Sequence, residues 1–200
     1  MKIVLASNNR GKLAELHAMF APLGFELVSQ ADLGIAEAAE PHCTFVENAL
    51  AKARHAAQLS GLAAVADDAG LCVDAFSGLP GVDTAFYATQ FGYAKSDSNN
   101  VIALLEQMRD IPHRRAALVS TLVAVRTPQD PEPLIAVGRV VGEITREPLG
   151  SNGFGFDPVM YLPEFGKTFA EMPVEIKNAN SHRGRAARVM LELMRERWTV

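Results

Sequence analysis

Two adjacent aspartates follow a short apolar run in the first half of the chain. Residues 63–66 are typical of a buried strand, and Asp67 and Asp68 come directly after them. Carboxylates at the carboxyl edge of a strand are suited to bind Mg²⁺ or to act as a base. Successive side chains of a strand point to opposite faces, so only one of the two needs to face a ligand. The alternative is a simple turn, since Asp-Asp-Ala-Gly also has good turn chemistry.

A second polar segment, SNNRGK, follows the apolar run at residues 2–6. A strand, a tight turn and a helix start bring free backbone N–H groups and the positive end of a helix dipole together, which favours an anion. Ser7 and Asn9 can donate hydrogen bonds to phosphate, and Lys12 adds a positive charge. The segment lacks the G-x-x-x-x-G-K-[ST] pattern of a P-loop. A well-capped helix with a solvated lysine remains an equal alternative.

Two further charged residues are weak candidates. Lys52 lies in an alanine-rich segment that is predicted to be a helix, with Thr44 and Glu47 as a capping box and Gly61 as its stop. Glu40 precedes a proline in an acidic loop. Solvation explains either side chain when each is taken alone.

The carboxyl-terminal half contributes an aromatic glycine loop, GFGFDP, and a basic segment, SHRG. An aromatic ring in a glycine loop can stack on a base, although a core role is more common. His182 and Arg183 open the last predicted helix, where positive charge opposes the helix dipole unless an anion or an acceptor is present. With the two polar segments above, these residues could hold a metal-bound nucleoside polyphosphate. No Ser-His-Asp or Cys-His arrangement is evident, which favours direct attack by water.

The elements that must position these residues predict an α/β fold with a mixed sheet. Strands and helices alternate in the first half, and two long strand-like runs at 115–126 and 134–144 suggest an antiparallel hairpin. No repeat or low-complexity linker divides the chain, so residues 1–200 are predicted to form one domain.

Composition excludes several classes of protein. The 200 residues are 48% hydrophobic and 21% charged, with a net charge of −4 and a pI near 5.7, which is typical of a globular protein and gives no basic field for a nucleic-acid polymer. Two cysteines are too few for a disulfide scaffold. The longest apolar run, 116–125, is shorter than a membrane helix requires. We therefore expect a cytoplasmic protein.

Five segments in order, SNNRGK, TFVENALAKARHAA, ADDAGL, GFGFDP and SHRG, resemble the inosine/xanthosine triphosphate pyrophosphatases. The resemblance implies Mg²⁺-dependent hydrolysis of dITP, ITP and XTP to the nucleoside monophosphate and pyrophosphate. It also implies a homodimer with an elongated mixed sheet, flanking helices and an active-site cleft between two lobes.

The resemblance also implies roles for individual residues. Asp68 corresponds to the metal ligand and general base, and Glu40 to a second metal ligand. Ala69 replaces a serine that relatives often have, which removes a hydroxyl contact, and Phe156 replaces a tyrosine or tryptophan. The implied substrate-binding residues are Ser7, Asn8, Asn9, Arg10, Gly11, Lys12, Lys52, Ala69, Phe154, Gly155, Phe156, Asp157, Lys177, His182 and Arg183.

Base selectivity has a chemical explanation in this hypothesis. A guanidinium such as that of Arg183 donates to the six-oxygen of hypoxanthine or xanthine and disfavours the amino group of adenine. Guanine shares the six-oxygen, so its rejection is not explained. Two alternatives remain open: a related pyrophosphatase for pyrimidine or modified nucleotides, and a non-catalytic nucleotide sensor.

Overall fold

The computed structural model describes residues 2–20 and 24–198. Its seven strands form one sheet in the order β2-β1-β3-β4-β5-β6-β7. Strand β1 pairs in parallel with β2 and β3, whereas β6 pairs antiparallel with β5 and β7. The predicted α/β class with a mixed sheet is confirmed. The elements in these ranges are β1 Lys2–Leu5, α1 Arg10–Phe20, β2 Glu26–Ser29, α2 Phe45–Ser60, β3 Ala63–Val73, α3 Asp97–Gln107, β4 Arg115–Val125, β5 Leu134–Ile144, β6 Met160–Leu162, β7 Lys167–Thr168, α4 Val174–Asn180 and α5 His182–Arg197.

The chain divides into two compact units. Unit 1 comprises Met1–Asp68, Ser120–Gly138 and His182–Val200, and unit 2 comprises Ala69–Val119 and Arg139–Ser181. The prediction that residues 1–200 form one functional domain stays a prediction. Over the described ranges, no helix is both long and apolar enough to cross a membrane.

Unit 1 has an apolar cluster on each side of its parallel strands. One cluster joins α1 and α5 to residues such as Ile3 and Leu5 of β1. The other packs the alanine face of α2 against Val4 and neighbouring strand residues. Helix α2 runs from its predicted N-cap Thr44 to Gly61, whose φ of 69° favours glycine, so both predicted ends are confirmed.

Unit 2 has its own core. Its buried members include residues of the second part of β3, of α3, of the first part of β4 and of the glycine loop that precedes β6. Phe156 of that loop is only 3% exposed and belongs to this core. The loop is therefore anchored by one aromatic side chain, which limits how it can present the neighbouring residues.

Strand β3 differs from the sequence-based prediction. It runs without interruption through Asp67 and Asp68 to Val73, so both the predicted strand end and the alternative turn are wrong. Both carboxylates are buried, at 2% and 5% exposure. Buried charge is tolerated in a strand only when it has partners, and the partners of Asp67 come from elements distant in sequence. No local pattern could have predicted them.

Glycine at position 138 allows α5 to start close to β5. A Cβ atom at Gly138 would overlap the backbone carbonyl oxygen of His182 and crowd the amide of Ala186. The absence of a side chain thus lets the first turn of α5 approach the strand backbone. This contact sets the position of the helix that carries His182 and Arg183.

Candidate active site

Asp68 and Lys52 form the centre of the candidate site in unit 1. The Lys52 Nζ lies 2.7 Å from Asp68 Oδ1 and 3.0 Å from Glu40 Oε2. The other carboxylate oxygen of Asp68, Oδ2, is buried and has no hydrogen-bond partner among residues 2–20 and 24–198. A buried carboxylate oxygen without a donor is costly. A cation bound at Asp68 Oδ2 would compensate this missing donor.

The electrostatics of this group are consistent with a cation site. Burial raises the pKa of Asp68 to about 6, against the opposing charge of Lys52. Burial would also raise the pKa of Glu40, but the nearby Lys52 ammonium outweighs it and lowers that pKa. Because the two pKa values are shifted in opposite directions, Asp68 takes up a proton before Glu40 does as the pH falls. A divalent cation can replace this proton.

The donor set fits Mg²⁺ held by few protein ligands. Among the described residues, no three His, Cys, Asp or Glu side chains form a group that could hold a metal. Mg²⁺ commonly binds through one or two carboxylates together with waters and substrate phosphates. Asp68 and Glu40 supply that number of carboxylates, so the residues present fit this ion.

A buried asparagine in α2 positions the loop that carries Glu40. Asn48 is 1% exposed, and its side chain makes two 3.0 Å hydrogen bonds with the backbone of His42. Its amide donates to the His42 carbonyl and its oxygen accepts from the His42 N–H. Sequence reasoning did not assign Asn48 a role. A polar residue in an alanine-rich helix was the available signal.

The SNNRGK turn forms a capped helix start. The Asn9 N–H donates to Ser7 Oγ at 3.2 Å, and the Lys12 N–H donates to Asn9 Oδ1 at 3.0 Å. Asn8 accepts a hydrogen bond from the Gln30 side chain. Arg10 and Gly11 open α1. The capping alternative is thus part of the structure, and capping leaves the positive helix end directed at the turn.

Asp67 is the residue whose role sequence reasoning missed. Its carboxylate is fully buried and lies 3.1 Å from the Lys12 ammonium, while Ser120 donates to it at 2.5 Å. Burial alone would raise the pKa of Asp67, but the charges of Arg183 and Lys12 hold it far below the usual range. Asp67 therefore stays ionised and holds Lys12 beside the turn. The hydroxyl residues that interrupt the apolar run 116–125 were the only signal for Ser120.

Arg183 is held in the same network. Its Nε and Nη2 donate to Asp67 Oδ2 at 3.1 and 3.0 Å, and its Nη1 donates to Glu15 Oε2 at 2.5 Å. Lys12, Arg183, Asp67 and Glu15 thus combine two positive and two negative charges. The predicted contact of Arg183 with a base has to coexist with these hydrogen bonds. His182, the first residue of α5, is also buried.

A second group of candidate residues comes together in unit 2. Lys177 Nζ lies 2.6 Å from Asp157 Oδ2 and 4.7 Å from the centre of the Phe154 ring. The Phe154 N–H also donates to Asp157, and the Gly155 N–H donates to Asp97 Oδ2. The half-buried Phe154 ring is therefore held in place by the hydrogen bond from its backbone N–H to Asp157 and by the Lys177 ammonium above the ring. Such a ring is suited to stacking on a planar base.

Two candidates in unit 2 have more limited possibilities. The Phe156 side chain is in the core, so the contact of this residue with substrate, which stays a prediction, would have to use its backbone. Ala69 lies on β3 next to Asp68 and is half-buried. Without a hydroxyl, it can offer a ligand only its backbone.

The fold and these residues define a class: an α/β protein with a carboxylate–lysine centre suited to a metal-bound phosphate ligand. Comparison with known proteins identifies the family within this class. The chain belongs to the Ham1 family, whose model matches residues 3–193. The family resemblance predicted from the five segments is confirmed.

Relatives cover nearly the whole chain. It is 80% identical over 198 residues to a dITP/XTP pyrophosphatase from Albidiferax ferrireducens and 76% identical to one from Paracidovorax citrulli, in each case covering 99% of this chain and 100% of the relative. A solved HAM1 protein from Coxiella burnetii is 40% identical, with a TM-score of 0.90, over 98% of this chain and 99% of that one. A nucleoside-triphosphatase/dITP/XTP pyrophosphatase structure from Mycobacterium abscessus is 44% identical, with a TM-score of 0.75, over 96% and 99%.

Proposed function

We propose that this protein hydrolyses dITP, ITP and XTP to the nucleoside monophosphate and inorganic diphosphate (pyrophosphate), with Mg²⁺ as the cofactor. The observation that carries the proposal is the buried Asp68 carboxylate, with Lys52 on one oxygen and no hydrogen-bond donor from the described residues on the other. The activity named for the relatives at 80% and 76% identity, dITP/XTP pyrophosphatase, supports dITP and XTP as substrates. Removal of these nucleotides from the precursor pool is the corresponding role.

The residues of the chain divide the chemical work. Asp68 orients or deprotonates the water that attacks phosphorus, and at neutral pH a carboxyl group with a pKa of about 6 is already ionised. Lys12 and Lys52 stabilise the charge that develops on the leaving diphosphate. Asp68 and Glu40 would hold the Mg²⁺, which neutralises phosphate charge when bound.

Base recognition in this proposal rests mainly on unit 2. Phe154 stacks on the purine, and Lys177, oriented by Asp157, is a donor suited to an oxygen rather than an amino group. Arg183 remains a candidate for the six-oxygen. Its replacement by alanine also removes the partner of Asp67 and Glu15, so loss of selectivity in that variant has to be judged beside its stability.

The test is diphosphate release with Mg²⁺ from dITP, ITP and XTP, measured beside dATP and dGTP. We expect rapid release from the first three only. The Asp68→Asn variant should lose turnover while it still binds nucleotide. Asp130→Asn is the matched control, because Asp130 is also buried but its partners are Arg126 and the backbone of the connection between β4 and β5.

Near wild-type kcat in Asp68→Asn, with Asp130→Asn also active, would refute the assignment of Asp68. Preferred cleavage of a pyrimidine or another modified nucleotide in the same panel would favour the alternative hypothesis of a related pyrophosphatase that acts on those nucleotides. Binding of dITP without any release of diphosphate would favour a sensor.

The proposal includes a homodimer in the cytoplasm. Strand β5 exposes Ile135 and Val137, at 45% and 55%, on its outer face in unit 1. Exposed apolar side chains next to each other on a strand are suited to burial against a second copy. Light scattering should give twice the 21.6 kDa chain mass, and Val137→Lys should lower it. A monomeric wild type would refute this part.

A further inference from the structure

A small cavity in unit 2 is lined mainly by basic side chains. Its volume is about 260 Å³. We call it the arginine cavity, and its lining residues are Leu105, Glu106, Arg109, Arg114 and Arg146. They come from the end of α3, the segment before β4 and the segment after β5. None of them is among the residues to which the proposed hydrolysis assigns a role.

Arg114 is a rigid positive wall of this cavity. Its Nε donates to the carbonyl of Ile144 at 2.6 Å, its Nη2 to that of Thr145 at 2.7 Å, and its Nη1 to that of Met108 at 2.8 Å. These acceptors orient the guanidinium but are neutral, so they leave its charge uncompensated. Burial, and then the nearby charge of Arg146, lower the pKa of Arg114.

The acidic groups around the cavity do not neutralise its positive charge. Within residues 2–20 and 24–198, neither Arg109, Arg114 nor Arg146 forms an ion pair with a carboxylate. Glu106 is the one acidic group in the lining, and its carboxylate accepts a 2.8 Å hydrogen bond from the Tyr93 hydroxyl. Three guanidinium groups thus face one carboxylate. This excess positive charge favours an anion.

We propose that the arginine cavity binds a phosphate-class oxyanion, of which inorganic diphosphate is the best match. The guanidinium groups of Arg109 and Arg146 can present paired N–H donors that match phosphate oxygens, and Arg114, whose donors bind carbonyls, adds its charge. The cavity is smaller than typical pockets for organic ligands, its lining has no aromatic side chain, and Leu105 is its only apolar wall among the described residues. A nucleoside therefore has nothing to stack on, which favours the inorganic anion over the phosphate tail of a nucleotide.

The test follows diphosphate binding by residue. Uniformly ¹⁵N-labelled protein is titrated with sodium diphosphate at low ionic strength without Mg²⁺, and backbone amide shifts are recorded. We expect saturable shifts at residues 105–114 and 144–146. Any binding at the candidate active site would appear separately at residues 7–12, so the two sites are distinguished in one experiment.

Two variants locate the effect. Arg109→Gln combined with Arg146→Gln should weaken diphosphate binding at the cavity by about tenfold or more, because each removes a charged donor. Hydrolysis of dITP should be unchanged. Arg115→Gln is the matched control: it removes an adjacent guanidinium that interacts with Asp74 and is not part of the cavity lining.

Several results would overturn the assignment. These are no saturable shift at residues 105–114, equal weakening by Arg115→Gln, an equal response to sodium chloride at matched ionic strength, or tighter binding of a nucleoside monophosphate at the same amides. Failure of the wild-type protein to hydrolyse dITP would refute the proposed activity. It would not alter this titration, which contains no substrate and measures no turnover.

Discussion

Replacing Asp67 by asparagine tests the buried charge network directly. In the wild type, Lys12 and Arg183 are balanced by Asp67 and Glu15, and the Asp67 side chain is fully buried. The neutral amide would leave the network with one uncompensated positive charge. The N–H donors of the new amide would also lie against the donors of Lys12 and Arg183. Breaking a buried ion pair costs about 3–5 kcal/mol. We expect a loss of about 3 kcal/mol in the free energy of unfolding at pH 7, since Lys12 retains some solvent contact.

The measurement is urea unfolding of wild type and Asp67→Asn. The matched control is Glu132→Gln, which removes a carboxylate from an exposed pair with Arg197 at 2.8 Å. Exposed pairs contribute about 0.2–1 kcal/mol, so the control should unfold almost as the wild type does. Because the folded-state pKa of Asp67 lies below its unfolded value, its contribution is present at neutral pH. The difference between wild type and variant should shrink as pH falls below about 4.

The reasoning would be refuted if Asp67→Asn and Glu132→Gln lost the same small amount of stability with unchanged m-values. That outcome would mean that water or rearranged side chains compensate Lys12 and Arg183 without Asp67. A loss of stability that did not decrease on acidification would also contradict the ionic explanation.

Three further predictions concern Asp68, Gly138 and Asn48. Without metal, wild-type stability should fall as pH rises from about 4 to 6, because folded Asp68 binds its proton more tightly than unfolded Asp68; in urea unfolding, Asp68→Asn should lack this slope. Gly138→Ala should destabilise by about 1–3 kcal/mol in thermal unfolding, since its Cβ overlaps the His182 carbonyl; an unchanged Tm would contradict this. Asn48→Ala should weaken Mg²⁺ binding, measured by calorimetry, through the loosened Glu40 loop, and unaltered affinity would show that the loop is held by other contacts.

Local chemistry explains why much of the fold was predictable. The ends of α2 are set by Thr44, Glu47 and Gly61, whose side chains or φ preference act within a few residues. The apolar runs that became β4 and β5 have the length and β-branched content of strands. The ordered segments from SNNRGK to SHRG were sufficient to predict the family, because each combines several residue types at fixed spacing.

By itself, the sequence determined the α/β class and the family, and it predicted a set of residues that could hold a metal and phosphate, since these depend on residue type and short-range spacing. Only the tertiary structure decided what Asp67 does and which groups surround each of the two aspartates. In one continuous strand their side chains point to opposite faces, so Asp67 meets Lys12, Ser120 and Arg183, whereas Asp68 meets Lys52. All of these partners lie far from the two aspartates along the chain. A carboxylate's environment, and therefore its charge state and role, depends on which distant groups the folded chain brings to it.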